Sequence, residues 1–472
     1  MDRMNAMDAG FLFIEDENAP MHVGAVLVFE GPAPAYGDVL RLFTAKLGDV
    51  PRHRQRVVSP PLHLGRPVWV DDEHFRVLHH VRRTALPSPG TDDRLRDLAG
   101  RIFARQLDRA RPLWEVWLVE GLAGGRWALV AKLHHCMVDG VAGADLLGVV
   151  LDRRPDAEVP APAAWTPRPA PSSLDLVVDG VRDAVLAPAR HAAALPALAR
   201  RLRAGSEVAD LGRAVLRSLP GTARRLAVGT PRSLNGQVGP RRRWLWARAG
   251  LPEVKAIREV TGGTANDIVL AAVTRGFRDL LGERGELVPG TVVRTMVPVS
   301  VRSRAERGRL TNRVGAVLVN LPVAEPDPVR RVADLRAQLD ELKASGQAAG
   351  ADVLTGLGDA AAPALLALAG RAVARFPQRL LQTATTNVPG PRAPLYLLGR
   401  ELTDIYPWVP LGASIRTNVG IFSYRDRITF GISADLDGVP DAQVLADGIR
   451  AGFDELTAAT TGRCQRSPEG CP

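Results

Sequence analysis

His134 and His135 stand side by side, and Asp139-Gly140 complete an HHxxxDG pattern in Lys132-Leu133-His134-His135-Cys136-Met137-Val138-Asp139-Gly140. A neutral imidazole, with an ordinary pKa of about 6.5, can accept a proton near neutral pH. His135 is therefore a candidate general base for activating a hydroxyl or an amine, a role that typically contributes ~10²–10⁴-fold to rate. Asp139 is placed to hold the turn or to orient one histidine, and Gly140 permits a tight bend. Metal binding is a weaker reading. No Glu lies between the histidines, no second histidine sits at i+4, and no Cys/His cluster is near. The pair His79-His80 is an internal control, because Thr84 and Ala85 stand where Asp and Gly would be needed.

A base must be held within a fraction of an ångström, so the motif needs a rigid mount. Trp127 to Leu133 alternates and is rich in apolar residues, as a buried strand would be. Trp114 to Leu122 reads as a second strand, and Ala123-Gly124-Gly125-Arg126 between them is a hairpin signal. After the motif, Val141, Leu147 and Val150 fall at helical spacing. The histidines are expected on a turn between strand and helix, with Asp139 able to cap that helix.

In this setting the motif resembles the acyl-CoA-dependent acyltransferases of the chloramphenicol-acetyltransferase-like superfamily. The chain is more narrowly similar to the bacterial wax ester synthase/diacylglycerol acyltransferase family, whose stretches occur here in the family's order. They are Met7-Asp8-Ala9 through Glu15, Pro20-Met21-His22-Val23-Gly24, and Leu107-Asp108-Arg109-Ala110-Arg111-Pro112-Leu113-Trp114-Glu115. After HHxxxDG come Gly263-Thr264-Ala265-Asn266-Asp267, Met296-Val297-Pro298-Val299-Ser300 and Asn387-Val388-Pro389-Gly390-Pro391. HHxxxDG alone is shared with condensation domains; the ordered set is the more specific signal.

The resemblance implies an α/β fold of two chloramphenicol-acetyltransferase-like lobes with a tunnel at their interface, joined by a helical linker. It implies direct acyl transfer from acyl-CoA, as co-substrate, to diacylglycerol or a long-chain alcohol, with no other cofactor and no metal. His135 would be the proton acceptor, His134 and Asp139 would complete the catalytic set, and Gly140 would shape the turn. Asn266 and Asp267 would support the site from the other lobe, although an Asn-Asp pair before an apolar helix is first a capping signal. Glu15 and Trp114 are expected to touch substrate, against the commoner reading of Glu15 as a surface carboxylate. Cys136 occupies an unassigned x position of the motif and is expected to pack rather than react.

Bulk properties narrow the class. A chain of 472 residues suggests two domains of roughly 200 residues each. With 46% hydrophobic and 24% charged residues, its composition is that of an ordinary globular protein. A net charge of +10 invites an anionic partner, but 5% aromatics and the lack of a recognised motif argue against nucleic acid. CoA phosphates and anionic lipid fit the charge, beside the plain alternative of an arginine-rich proteome. Three cysteines do not make a disulfide scaffold. The first residues carry acids and no basic–apolar–small leader pattern, so export is not expected. No apolar run reaches the roughly 18 residues a spanning helix needs. A cytoplasmic protein in peripheral contact with the inner membrane face or lipid inclusions is the expectation.

The first lobe is expected over 1–156, a Pro/Ala-rich and helical linker over 157–238, the second lobe over 239–460, and a disordered tail over 461–472. Strands are expected at His22 to Phe29, Val68 to Val70, Thr291 to Val301, Val314 to Val323, Ile415 to Phe422 and Arg427 to Ala434. Helices are expected at 37–49, Asp92 to Leu107, Leu251 to Val260, Ile268 to Leu281, Asp327 to Ser345, through the apolar region 352–382, and at Asp441 to Leu456. Two other functions compete: an acyltransferase or condensation-type enzyme taking its acyl group from a carrier protein, and a non-catalytic lipid-body binding protein.

Overall fold

The computed structural model describes residues 2–47, 50–61, 64–137, 148–182, 229–300, 314–344, 378–412 and 414–464. Two six-stranded sheets organise it, each carried by helices in an α/β lobe. In the first sheet, the strand leading to the motif, Arg126–His134, lies between Trp114–Leu122 and His22–Phe29 and is antiparallel to both. Val81–Ala85 closes one edge, parallel to Trp114–Leu122. The hairpin turn is Ala123–Gly125, where Gly124 takes φ 77°, a left-handed conformation that favours glycine.

The motif strand is buried along almost its whole length because both faces are covered. Trp127, Leu129, Ala131 and Leu133 pack against Val39, Leu42 and Phe43 of the helix Tyr36–Lys46. Ala128 and Val130 point the other way, into Leu95, Ala99, Ile102 and Phe103 of the helix Asp92–Phe103. Period-2 alternation thus serves two cores at once, which is why the strand reads as nearly continuous apolar sequence. Lys132 sits on the second face, 1% exposed, and donates to the carbonyls of Ile102 and Arg105 at 3.1 and 2.7 Å. A buried ammonium at a helix C-terminus satisfies orphan carbonyls there.

The second sheet runs in the order Val314–Leu321, Val293–Ser300, Thr383–Pro389, Thr417–Tyr424, Arg427–Asp435 and Arg242–Gly250. Thr383–Pro389 is parallel to its neighbours and the remaining pairs are antiparallel. Four helices, Leu251–Thr261, Ala265–Glu283, Pro328–Ala344 and Ala442–Cys464, bury the largest core against it.

Two departures from the expected domain limits have clear causes. Tyr396–Leu397 and Arg400–Trp408 fall inside 239–460 but complete the first sheet, with Arg400–Trp408 antiparallel to His22–Phe29. The crossover passes so close to the second sheet that a Cβ added at Gly431 would lie 1.7 Å from the Pro407 carbonyl oxygen. Trp244 Nε1 donates to that same oxygen at 3.3 Å, so one strand belongs to the first sheet while bonding to the second. The final helix also runs to Cys464, four residues into the expected tail, with Leu456 and Thr460 still buried.

Residues 157–172 have no regular structure and 173–182 are helical. The helices expected over 183–228 and most of 352–382 lie outside the described residues. The sequence also missed the helix Ala6–Ile14, whose cap is Asn5 accepting the Asp8 amide at 2.7 Å, and the strand Arg242–Gly250.

Candidate active site

The two histidines leave the sheet at a defined place. His134 is the last residue of its strand, directly opposite His22, and its amide donates to the Leu113 carbonyl at 2.9 Å. The His135 amide donates to the Met21 carbonyl at 2.8 Å, and a short 3-10 turn, His135–Met137, follows. The main chain of both histidines is therefore tied to the residues that lead into the neighbouring strands. Asp139 and Gly140 lie outside the described residues.

His134 is 1% exposed, and its Nδ1 accepts the Cys136 amide at 3.2 Å. That bond puts the neutral ring's proton on Nε2, which faces Glu15 Oε2 at 3.6 Å. The separation is long for a hydrogen bond but close enough for charge to matter. Glu15 is anchored on two further sides. Arg109 donates to Oε2 through Nε at 3.1 Å and Nη2 at 2.5 Å, and the Met21 amide donates to Oε1 at 3.0 Å. Burial by itself would raise the Glu15 pKa, but His134 and then Arg109 outweigh it and bring it to about 2. Met21 thus bonds to the carboxylate through its amide and to His135 through its carbonyl. Glu15, expected to touch substrate, has its oxygens engaged by Arg109 and the Met21 amide.

His135 is partly exposed, and its ring stacks on Phe11 with centroids 3.9 Å apart and planes at 18°. Nδ1 is buried without a hydrogen bond, near the residue's own carbonyl. Enclosure lowers the His135 pKa to about 4; its own carbonyl opposes this slightly and His134 reinforces it. The imidazole is uncharged at neutral pH, with a lone pair to offer.

Cys136 is 3% exposed in a cluster with Met4, Leu12, Phe13 and Leu113, and burial pushes its thiol well above the usual range. A thiol kept protonated is a poor nucleophile, in agreement with a packing role. Trp114 is enclosed in the core of the first lobe. It has no exposed surface, donates its indole N–H to the His53 carbonyl at 2.8 Å and stacks on His80 at 4.5 Å. Its apolar bulk and its donor are both satisfied within the first lobe, and it offers no exposed surface for the substrate contact expected of it.

Asn266 and Asp267 begin the helix Ala265–Glu283. The Asp267 carboxylate accepts the Thr264 amide at 2.6 Å, and the Thr264 hydroxyl accepts the Asp267 amide at 3.4 Å, forming a capping box. Asn266 Oδ1 accepts from Asn387 Nδ2 at 3.1 Å. Two sequence motifs of the second lobe therefore meet each other, and their hydrogen bonds stay in that lobe rather than reaching His134 or His135. Phe11, Met21, His22, Arg109 and Asn387 belong to the family-like stretches of the sequence, and only contact geometry distinguishes them from their neighbours there. Among the described residues no group of three or more His, Cys, Asp or Glu side chains could hold a metal ion.

Comparison with known proteins identifies the family and the fold. The wax ester synthase/diacylglycerol acyltransferase catalytic domain matches residues 4–269, and the WS/DGAT C-terminal domain matches residues 310–457. A probable diacylglycerol O-acyltransferase of Mycobacterium tuberculosis is 37% identical over 465 residues, covering 98% of this chain and 97% of the relative. The solved wax ester synthase/diacylglycerol acyltransferase from Marinobacter aquaeolei VT8 superposes with a TM-score of 0.65 at 26% identity, covering 97% of this chain and 100% of that one. The first condensation domain of the CDA synthetase shares the fold at a TM-score of 0.57 and 16% identity, over 96% of this chain and 95% of that domain.

Proposed function

Because the chain belongs to the wax ester synthase/diacylglycerol acyltransferase family, we propose that it moves a fatty acyl group from acyl-CoA to the hydroxyl of diacylglycerol or a long-chain alcohol, with His135 as general base. The observation that carries this reading is an uncharged imidazole held at the end of a buried strand, with Nδ1 turned inward. As the acceptor oxygen attacks the thioester carbonyl, Nε2 takes the hydroxyl proton. The tetrahedral oxyanion is met by a hydrogen-bond donor such as a main-chain N–H. Collapse breaks the C–S bond, and the departing thiolate takes the proton back from the imidazolium, giving free CoA and the ester. A thiolate leaves readily, so no acyl-enzyme is required.

Glu15 and His134 keep the base in place, Asp139 and Gly140 shape the turn, and Asn266 with Asp267 orders the facing edge of the second lobe. No cofactor beyond the acyl-CoA co-substrate enters. Peripheral contact with the cytoplasmic membrane face or lipid inclusions fits water-insoluble acceptors. Among the described residues no helix is long and apolar enough to cross a membrane. Leu174, Val178 and Val181, which are 71%, 58% and 46% exposed on the helical stretch 173–182, support such contact.

The test is thiol release from palmitoyl-CoA with dioleoylglycerol or hexadecanol as acceptor, wild type beside His135→Ala. Acceptor-dependent release that falls by ~10²–10⁴ in a folded variant is the expected result for a lost general base. An unchanged rate rejects His135 as the base. Absence of release with either acceptor moves the donor to a carrier protein.

A further inference from the structure

A histidine acting as a base usually has its second ring nitrogen pinned by a carboxylate or carbonyl, which sets both tautomer and orientation. For His135 the carbonyl beside Nδ1 is the residue's own. Nδ1 is buried without a hydrogen bond to another residue among those described, and the Glu15 carboxylate faces His134. The main-chain bond from His135 to Met21 fixes the Cα but leaves the ring free to turn about its side-chain bonds.

Phe11 adds a constraint on the plane of the ring. It lies flat against the imidazole at 3.9 Å and 18°, and both rings are partly exposed, so the phenyl borders the same opening as the base. The helix that carries it, Ala6–Ile14, is secured at three points. Asn5 caps its start, Arg109 donates to the Leu12 carbonyl at 3.0 Å near its end, and Ala9, Leu12 and Phe13 pack in one cluster with Cys136, Leu107 and Leu113. The helix is therefore fixed to the residue that follows His135, and Phe11 is held over the ring.

We propose that Phe11 is a positioning residue for His135: it clamps the imidazole so that Nε2 alone meets the acceptor hydroxyl, and it keeps water off the ring's face. The inference rests on His135 being the general base. The titratable and charged groups around the pair are Asp8 on the same helix, Glu15 just beyond it, Arg109 across from them, His22 on the adjacent strand, and His134 and Cys136 beside the base. Glu15 stays a carboxylate and Cys136 a thiol through the working pH range, so neither supplies a competing titration there.

The experiment is the pH profile of kcat/KM for acceptor-dependent thiol release, measured for Phe11→Ala, Phe11→Leu and Phe11→Tyr beside wild type and His135→Ala. Removing the aromatic cover hydrates the imidazole. The acid limb should then rise by about one pH unit or more toward 6.5, with kcat down roughly tenfold from lost orientation. Phe11→Tyr, which keeps the ring, should restore both kcat and the limb. If Phe11→Ala does not fold, Phe11→Leu carries the same expectation, because an aliphatic side chain fills space without stacking. A purely structural Phe11 would lower the melting temperature while leaving the acid limb and kcat of the folded fraction unchanged, and that overturns the proposal. If His135→Ala is dead while the Phe11 variants behave like wild type, this inference fails and the general base stands. If His135→Ala is active, the general base itself fails.

Discussion

Glu15 and His134 face each other at 3.6 Å with side chains 2% and 1% exposed, although 118 residues separate them in sequence. The carboxylate does not hold the proposed base itself. It acts on the histidine before it and, through Met21, on the main chain of His135. Orientation of the base is therefore a property of a small network: Glu15 and Arg109 fix the loop, the loop fixes the turn, and Phe11 holds the ring.

Glu15→Gln should be costly on two counts. The amide oxygen can still accept from Met21, but the charge that Arg109 and His134 respond to is gone. Breaking a buried pair by removing one partner costs ~3–5 kcal/mol, and the half-exposed Arg109 reduces this to about 1–3 kcal/mol. Urea unfolding should show that loss, and kcat should fall more than KM rises. Equal stability for wild type and variant would mean that the network does not hold the turn.

Stability should fall on mild acidification. Burial lowers the pKa of His22 well below the ordinary value and brings His53 and His135 to about 4. Each has a depressed folded pKa, so the unfolded chain binds more protons between pH 6.5 and 4 and folding weakens as pH falls through that window. For His53 the effect reaches at most ~3 kcal/mol, since one pKa unit corresponds to 1.36 kcal/mol. His53→Phe should flatten the dependence of the urea midpoint on pH between 7 and 5, while its backbone carbonyl still accepts from Trp114. An identical slope in the variant would show that His53 does not stay neutral in the fold.

Cys136 should be inert in the native protein. An enclosed thiol held protonated reacts slowly with alkylating agents, because the thiolate is the reactive form. Iodoacetamide should leave it unlabelled until the chain unfolds. Cys136→Ala should keep its activity while losing about 1–2 kcal/mol from the removed sulfur. Rapid native labelling, or loss of turnover in a stable Cys136→Ala, would give the sulfur a chemical role after all.

The sequence was informative where structure is local. The strands His22–Phe29 and Trp114–Leu122 have the expected bounds, and the motif strand extends one residue further at each end. Its strength came from apolar periodicity next to glycine turns, signals that need no distant partner. Arg400–Trp408 went unread because its partner, His22–Phe29, lies nearly the whole chain away, and because Asp404 and Pro407 break its apolar pattern. Trp114 illustrates a different limit. The family resemblance implied that it touches substrate, and only the His53 carbonyl and the His80 ring show that both of its demands are met inside the core. The partners of His134 and His135, Glu15 and Phe11, sit in stretches quoted for other reasons. No spacing rule brings residues 11 and 15 to residues 134 and 135; the fold does.

The crossover makes the lobes one unit, and Gly431 is where that can be tested. Its missing Cβ leaves room for the Pro407 carbonyl, which also accepts from Trp244. In Gly431→Ala the new atom would sit 1.7 Å from that oxygen, and both contacting groups are main chain or rigid ring, so no side chain can swing away. The strand must shift, and overpacking of this kind costs typically ~1–3 kcal/mol and occasionally more. Arg400–Trp408 pairs with His22–Phe29, which in turn pairs with the motif strand, so the shift should reach the histidines and lower kcat as well as stability. Gly282→Ala is the control, since nothing lies within 4 Å of its Cβ position and Ala in a helix is favoured over Gly by about 1 kcal/mol. Urea unfolding and thiol release on both variants should separate them in opposite directions. A Gly431→Ala protein as stable and active as the Gly282 control would mean that the two sheets are not joined through Pro407.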